Sequence, residues 1–397
     1  MNIEKTKELV LGLYDMDSVT KLFNSGENVS YIHHEENPVL LGSKFLLKVN
    51  TSVGISEPNE LEEEKRKIGA ISSASYSPDI IMDHTRNIQL DKPLWRYLTE
   101  TVRVPIGAVP VYSAFDEAKG IDKTHFLERV QEMSEGGVTL MTFHPTATRE
   151  LYDIAEKTRK IPTSSWGGGD VLRDMMINNR ANNIVAEAFS EIIKILKKHA
   201  VTISLGSVFR PAGIGDALDQ VHLLEIKEQK KYIDIAKASG INVIMEGIGH
   251  IDVESIPKYC DIIRQYKTPL MPLGPITTDA AIGYDHAAGL IGATLVATQD
   301  VVGIINGVTR EEHLGGVPST DAVLEGLMHA RTLAHSINLT RFKHYRQLDM
   351  NIYNNRANGK TCMVNGGLFA ISPNLENRQG CERCGTQCPL NSFSKEK

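Results

Sequence analysis

Residues 201–247 read VTISLGSVFRPAGIGDALDQVHLLEIKEQKKYIDIAKASGINVIMEG. Two short apolar runs, VTISLG (201–206) and INVIMEG (241–247), flank a stretch whose charges fall on one helical face and whose end is closed by Gly240. Neither run alternates apolar with polar, so each suits a strand covered on both faces, as in a parallel sheet. The same unit recurs outward in both directions. Further runs are SKFLLKVN (43–50), PDIIMDH (78–84), VPIGAVPVY (104–112), GVTLMTFH (137–144), TPLMPLG (268–274) and DVVGIING (300–307). Helical patterns such as PNELEEEKRKIGAISSA and KTHFLERVQEMSEG lie between them. Eight alternations predict an α/β chain folded as a (β/α)8 TIM barrel, with a doubly wound open sheet as the rival arrangement.

Composition narrows the function classes. The 397 residues are 41% hydrophobic and 23% charged with a formal net charge of −6, which suits a folded domain and supplies no basic stripe for nucleic acid. The N-terminus lacks the apolar core of a secretory signal and no run approaches a bilayer span, so no membrane partner is expected and a cytoplasmic location is. Five cysteines, three of them at positions 381, 384 and 388, read as metal binding in a reducing compartment.

A TIM barrel places its active site where the strands end. Just past the eight runs stand Asn50, Asp83, Tyr112, His144, Arg210, Glu246 with His250, the GPITTD loop, and His313. Singly, each reads as well as a cap or a loop hydrogen-bonder; together they mark one rim. His250 and His313 on neighbouring loops could hold a divalent ion, with Asp285 and His286 as rivals. The run SSWGGGDVL (164–172) lets backbone N–H groups approach an anion, or is simply a flexible loop. Arg149 and Arg210 are the candidates to neutralise a phosphate there.

The blocks KVNTSVGIS, IGAVPVYSA, SLGSVFRPAGIGDA, VIMEGIGH, PLGPITTDAAIGYDH and GVTREEHLG resemble those of the phosphomethylpyrimidine synthase family, a non-standard radical S-adenosylmethionine group. The resemblance runs in order from residue 41 to the terminal cysteines. It implies an N-terminal segment (1–40), the barrel (41–338) and a C-terminal segment (339–397) in which Cys381, Cys384 and Cys388 ligate a [4Fe-4S] cluster, leaving one iron for S-adenosylmethionine. It implies a homodimer with tail exchange, or a heteromer with a paralogue, and an electron donor. A zinc knuckle completed by Cys362 or a histidine is the other reading of the tail. The family's divalent metal, zinc or iron, falls on His250 and His313. Its substrate, aminoimidazole ribonucleotide, would meet Asn50, Met82, Tyr112, His144, Ser165, Trp166, Gly167, Gly168, Arg210 and Glu246, with Glu246, His144 and Tyr112 as catalytic candidates; His286 would play a supporting part.

Departures from the pattern matter. The tail spacing is C-x2-C-x3-C where the thiamin enzyme has C-x2-C-x4-C, and the long N-terminal domain of that enzyme has no counterpart. An SRGG loop reads Ser165-Trp166-Gly167-Gly168, GDGLRPG reads GSVFRPAG with Ser207 replacing an acid, and IHAG reads FHPTATRE. Length and tail spacing look more like the branch that makes 5-hydroxybenzimidazole for the cobamide (vitamin B12) lower ligand. The alternatives are phosphomethylpyrimidine synthesis for thiamin, and a non-radical barrel binding a phosphorylated ligand with zinc in its tail.

Overall fold

The structure, a computed structural model, describes residues 3–86, 90–362, 368 and 383–392. Eight parallel strands form its centre: β1 (Lys48–Val53), β2 (Ile80–Asp83), β3 (Ile106–Ala108), β4 (Leu140–Phe143), β5 (Thr202–Leu205), β6 (Val243–His250), β7 (Leu270–Ile276) and β8 (Ile304–Asn306). Neighbours pair in chain order from β1 to β7, β8 pairs with β1, and a parallel bridge from Leu270 to Val302 closes the ring. The barrel expected from the sequence is therefore present.

Helices cover the outside: α1 (Leu61–Ser73), α2 (Leu94–Thr101), α3 (Lys123–Glu135), α4 (Arg149–Thr158), α5 (Trp166–Ile177), α6 (Phe189–His199), α7 (Gln220–Ala238), α8 (Ile256–Arg264), α9 (Asp285–Ala297), α10 (Thr320–Arg341) and α11 (Lys343–Asn358). Between β4 and β5 the crossover carries α4, α5 and α6, which places the glycine run on an inserted helix.

At two strands the bounds differ from those expected for a hydrogen-bonding reason. Strand β1 starts at Lys48 because the Leu46 and Leu47 N–H groups donate instead to side chains, Glu8 Oε1 at 3.1 Å and Asn338 Oδ1 at 2.9 Å. Asn50 consequently lies within the strand. Strand β3 stops at Ala108, and Pro110, which has no N–H to give a ladder, opens a single helical turn (Pro110–Ala114) that carries Tyr112.

The N-terminal residues close one end of the barrel. Glu8 is fully buried against the Lys48 ammonium, Lys7 reaches Asp79 at 2.5 Å just before β2, and Asn28 Nδ2 donates to Val301 O at 3.1 Å. A hairpin of Val29–Ile32 with Val39–Gly42 is pinned where Thr202 Oγ1 donates to Tyr31 O at 2.6 Å. All of these contacts sit at strand beginnings. The strand ends, where the polar residues gather, are left for a site.

Candidate active site

Alternation along β6 decides what faces inward. A Cβ on Gly247 would fall 2.1 Å from the Tyr259 hydroxyl of α8, so that position faces the helix layer and its neighbour Glu246 faces the lumen. There Glu246 Oε1 accepts from Thr142 Oγ1 of β4 at 2.8 Å and Ser204 Oγ of β5 at 2.7 Å. Its Oε2 has no hydrogen-bond partner among the described residues. Across the lumen Asn50 Nδ2 donates to Asn306 Oδ1 at 2.7 Å, and Asn306 Nδ2 to Pro272 O at 2.9 Å. Asn50 Oδ1 is buried with no partner among the described residues. An unmet acceptor of this kind is costly unless a ligand or water supplies a donor.

His144 follows β4 and its ring is slotted between two glycines. A Cβ on Gly206 would lie 2.5 Å from its Cδ2, and one on Gly167 2.4 Å from its Cε1. Burial pushes this imidazole down to about 3, with the Arg210 guanidinium and His84 adding to the effect. It is therefore neutral near pH 7, and its buried Nδ1 has no partner among the described residues. His84, past β2, is held down to about 4 by burial and by Arg210, and its ring meets that of Tyr112 edge-on at 6.1 Å. Tyr112 in turn touches Trp166 at 6.5 Å between centroids, and burial raises its hydroxyl above the usual phenol range. Met82 is buried with its sulfur against Gly107, where a Cβ would be 2.1 Å away.

The glycine run is not a loop. Ser165 caps α5, its Oγ accepting from Gly168 N at 3.1 Å, and Trp166, Gly167 and Gly168 form the first turn. Three glycines are poor helix formers, and at two of them a side chain has no room: Cβ atoms on Gly167 and Gly168 would strike His144 and Val208. The Trp166 and Gly167 N–H groups have no hydrogen-bond partner among the described residues. Such a turn attracts anions.

Arg210 borders it, donating to Ser207 O at 3.1 Å and Ser164 O at 3.4 Å. The loop carrying Arg210 is held from below by Glu225 of α7, which accepts from Thr146 Oγ1, Ser207 Oγ, Val208 N and Phe209 N at 2.5–2.8 Å. Ser207, which replaces an acid of the resembling enzymes, thus has its hydroxyl spent on Glu225. Arg149 is exposed at the start of α4.

Past Glu246, β6 bends. Ile248 has φ of 73° and Gly249 of 101°, and the register with β7 shifts between Ile248 and His250. A β-branched residue in the left-handed region is strained, and here it re-aims the strand's last residue. His250 Nδ1 bonds Asp279 Oδ1 at 2.7 Å, His313 Nδ1 bonds Asp285 Oδ1 at 2.6 Å, and the two rings lie 5.3 Å apart. Because a carboxylate only accepts, each Nδ1 carries a proton and donates it, the contact by which a metal-ligating imidazole is oriented. Asp285, read from the sequence as a rival ligand, instead holds His313. His286 stacks on His329 at 5.0 Å. No third His, Cys, Asp or Glu completes a metal site among the described residues.

A family model described as the radical SAM ThiC family matches residues 12–395. The chain belongs to that family. Phosphomethylpyrimidine synthase of Pyrococcus abyssi is 29% identical over 396 residues, spanning 94% of this chain and 91% of its own. Its counterpart from Pyrococcus furiosus is 30% identical over 378 residues, spanning 89% and 85%. Among solved structures, a dihydropteroate synthase of Xanthomonas albilineans is similar with a TM-score of 0.47 at 10% identity, covering 79% of this chain and 99% of that one.

Membership of a radical SAM family implies a [4Fe-4S] cluster and S-adenosylmethionine. Thiolates are the ligands such a cluster takes. Cys260 is buried in α8, its thiol pushed up to about 12, so it is no thiolate ligand. Cys384 is exposed in the tail, and Cys381 lies outside the described residues. Among the described residues no helix is long and apolar enough to cross a membrane.

The structure therefore gathers Tyr112, His144, Trp166, Gly167, Arg210 and Glu246 around one mouth. His250 and His313 sit beside it, tied in where His250 N donates to Pro211 O at 3.1 Å. Sequence reasoning missed His84, Arg86, Glu225, Thr142, Ser204 and Asp279. The first two follow β2 within MDHTRN, and reading three residues further past that strand would have found them.

Proposed function

We propose that this chain rearranges 5-aminoimidazole ribonucleotide to 5-hydroxybenzimidazole for the cobamide lower ligand, as a cytoplasmic radical S-adenosylmethionine enzyme. One observation carries the product assignment. Trp166, 56% exposed at the mouth and against Tyr112, stands where the resembling thiamin enzymes have an arginine. An aromatic wall there favours a product that grows a fused carbocycle.

The residues divide the work. Arg210 and the first turn of α5 hold the phosphate, Asn50 Oδ1 accepts from the base or ribose, and Met82 and Tyr112 line the pocket. Glu246, through its open Oε2, takes a proton, and neutral His144 presents its unpartnered Nδ1 to the ligand. His250 and His313 hold a divalent ion, zinc or iron, through their Nε2 atoms, leaving its other positions to ligands. Cys381, Cys384 and Cys388 bind the cluster, which with S-adenosylmethionine supplies a 5'-deoxyadenosyl radical when both are bound. The working assembly is a homodimer exchanging tails or a heteromer with a paralogue, reduced by an external electron donor.

A second reading, phosphomethylpyrimidine synthesis, is favoured by the names of the relatives. Chain length does not separate the two, because the Pyrococcus abyssi synthase is matched over 91% of its length. Anaerobic incubation of the reconstituted protein with S-adenosylmethionine, reductant and aminoimidazole ribonucleotide decides between them. A hydroxybenzimidazole supports the proposal, and a hydroxymethylpyrimidine phosphate supports the second reading. Colourless protein with tail-bound zinc and no S-adenosylmethionine cleavage would refute both.

A further inference from the structure

Arg86, past the end of β2, is held on three sides. Its Nη2 donates to both oxygens of Asp170, at 2.8 and 3.1 Å, and Asp170 is fully buried in the second turn of α5. The guanidinium carbon lies 5.2 Å from the Trp166 ring centroid and 5.7 Å from that of Tyr112. Nε and Nη1 have no hydrogen-bond partner among the described residues. Holding so long a side chain in one rotamer costs entropy, and a loop tether alone would not need the outer edge of the fork left open.

That edge belongs to the same mouth as Arg210. Both guanidiniums act on the Tyr112 hydroxyl, and Arg210 makes its hydrogen bonds to carbonyls alone, with no carboxylate salt bridge among the described residues. The Asp170 charge is shared with Arg173, whose Nη2 sits at 2.5 Å, so Asp170 does not cancel Arg86. Between the two arginines lies the first turn of α5, with its open Trp166 and Gly167 N–H groups. The buried, unpartnered Nδ1 of His144 is aimed at the same turn, 2.7 Å from where a Gly167 Cβ would stand. Two cations, oriented N–H dipoles and a neutral imidazole around one helix end suit a phosphomonoester dianion.

We propose that Arg86 is the second phosphate-binding cation of the substrate site, clamping a sugar phosphate with Arg210 over the first turn of α5. The inference rests on the reading of the substrate as a phosphorylated ribose derivative, but not on which product forms.

Titration calorimetry of the full-length chain with ribose 5-phosphate, and with ribose as control, tests it. Wild-type protein should bind the phosphate ester and not ribose. Arg86→Gln should weaken that binding about ten- to hundredfold, the worth of a charge-assisted hydrogen bond. Arg86→Lys keeps the charge near Asp170 but not the fork, and should fall between the two. The proposal is overturned by wild-type protein that does not bind ribose 5-phosphate, or by either variant binding as tightly as wild type; should the Gln variant fail to fold, the Lys variant decides. Binding that depends on Arg86 in a protein that turns over no aminoimidazole ribonucleotide would keep this inference and remove the activity proposed above.

Discussion

Glu225 offers the sharpest test of how the mouth is built. It is 1% exposed, and each of its carboxylate oxygens serves two donors. Oε1 accepts from Thr146 Oγ1 at 2.7 Å and Val208 N at 2.5 Å, while Oε2 accepts from Ser207 Oγ at 2.7 Å and Phe209 N at 2.8 Å. In Glu225→Ala the two hydroxyls can rotate, but the two backbone N–H groups, on residues that are 0% exposed, lose the only acceptors they have among the described residues. An unmet buried donor costs about 1–3 kcal/mol, so the pair costs roughly 2–6 kcal/mol before lost packing is counted. Glu225→Gln keeps the shape but sets an NH2 against one of those N–H groups, for about 1–3 kcal/mol. Since Arg210 is fastened to Ser207 O, both variants should also weaken ribose 5-phosphate binding. Urea unfolding followed by circular dichroism measures the first effect and calorimetry the second. A Gln variant within about 0.5 kcal/mol of wild type would refute the view that this carboxylate holds the loop.

Gly206→Ala and Gly167→Ala should each expel His144 from its slot, since the new methyl would sit 2.5 and 2.4 Å from the ring. Turnover should fall well before stability does, with unfolding shifted by only about 1–3 kcal/mol; unchanged kinetics would contradict the slot. Asp285→Ala removes the acceptor that keeps the proton on His313 Nδ1, so metal affinity should drop about ten- to hundredfold, and undiminished affinity counts against the His250–His313 site. Burial holds the Asp83 carboxyl up at about 6, against an ordinary value of 3.8. The folded chain therefore keeps a proton that the unfolded chain releases. Asp83's contribution is complete below pH 3.8 and is lost as pH rises through 6, so wild type should lose about 3 kcal/mol relative to Asp83→Asn across that window. Parallel pH profiles of the two proteins would disprove the raised carboxyl.

How far the site was legible varies from residue to residue. Glu246, His144 and Arg210 were visible because a strand end in a barrel points a residue at the mouth whatever its neighbours are. Trp166, Gly167 and Gly168 were legible as an anion-binding stretch but not as a helix, because their helical state depends on Ser165 as cap and on His144 and Val208 filling the space that side chains would need. The direction of the Ser207 hydroxyl was not legible because it is set by Glu225, 18 residues away on another element. Arg86 is fixed by Asp170 across 84 residues, a pairing no local pattern announces.

By itself the sequence determined the eight-strand barrel, the rim on which polar groups gather, and the thiols available to a cluster. These follow from local periodicity and from residue chemistry, which are properties of short stretches. Only the tertiary structure decided which oxygens and nitrogens at the rim are left open. That depends on hydrogen bonds between distant segments: a buried donor or acceptor met within the protein is closed to a ligand, and one left unmet is where a ligand can bind.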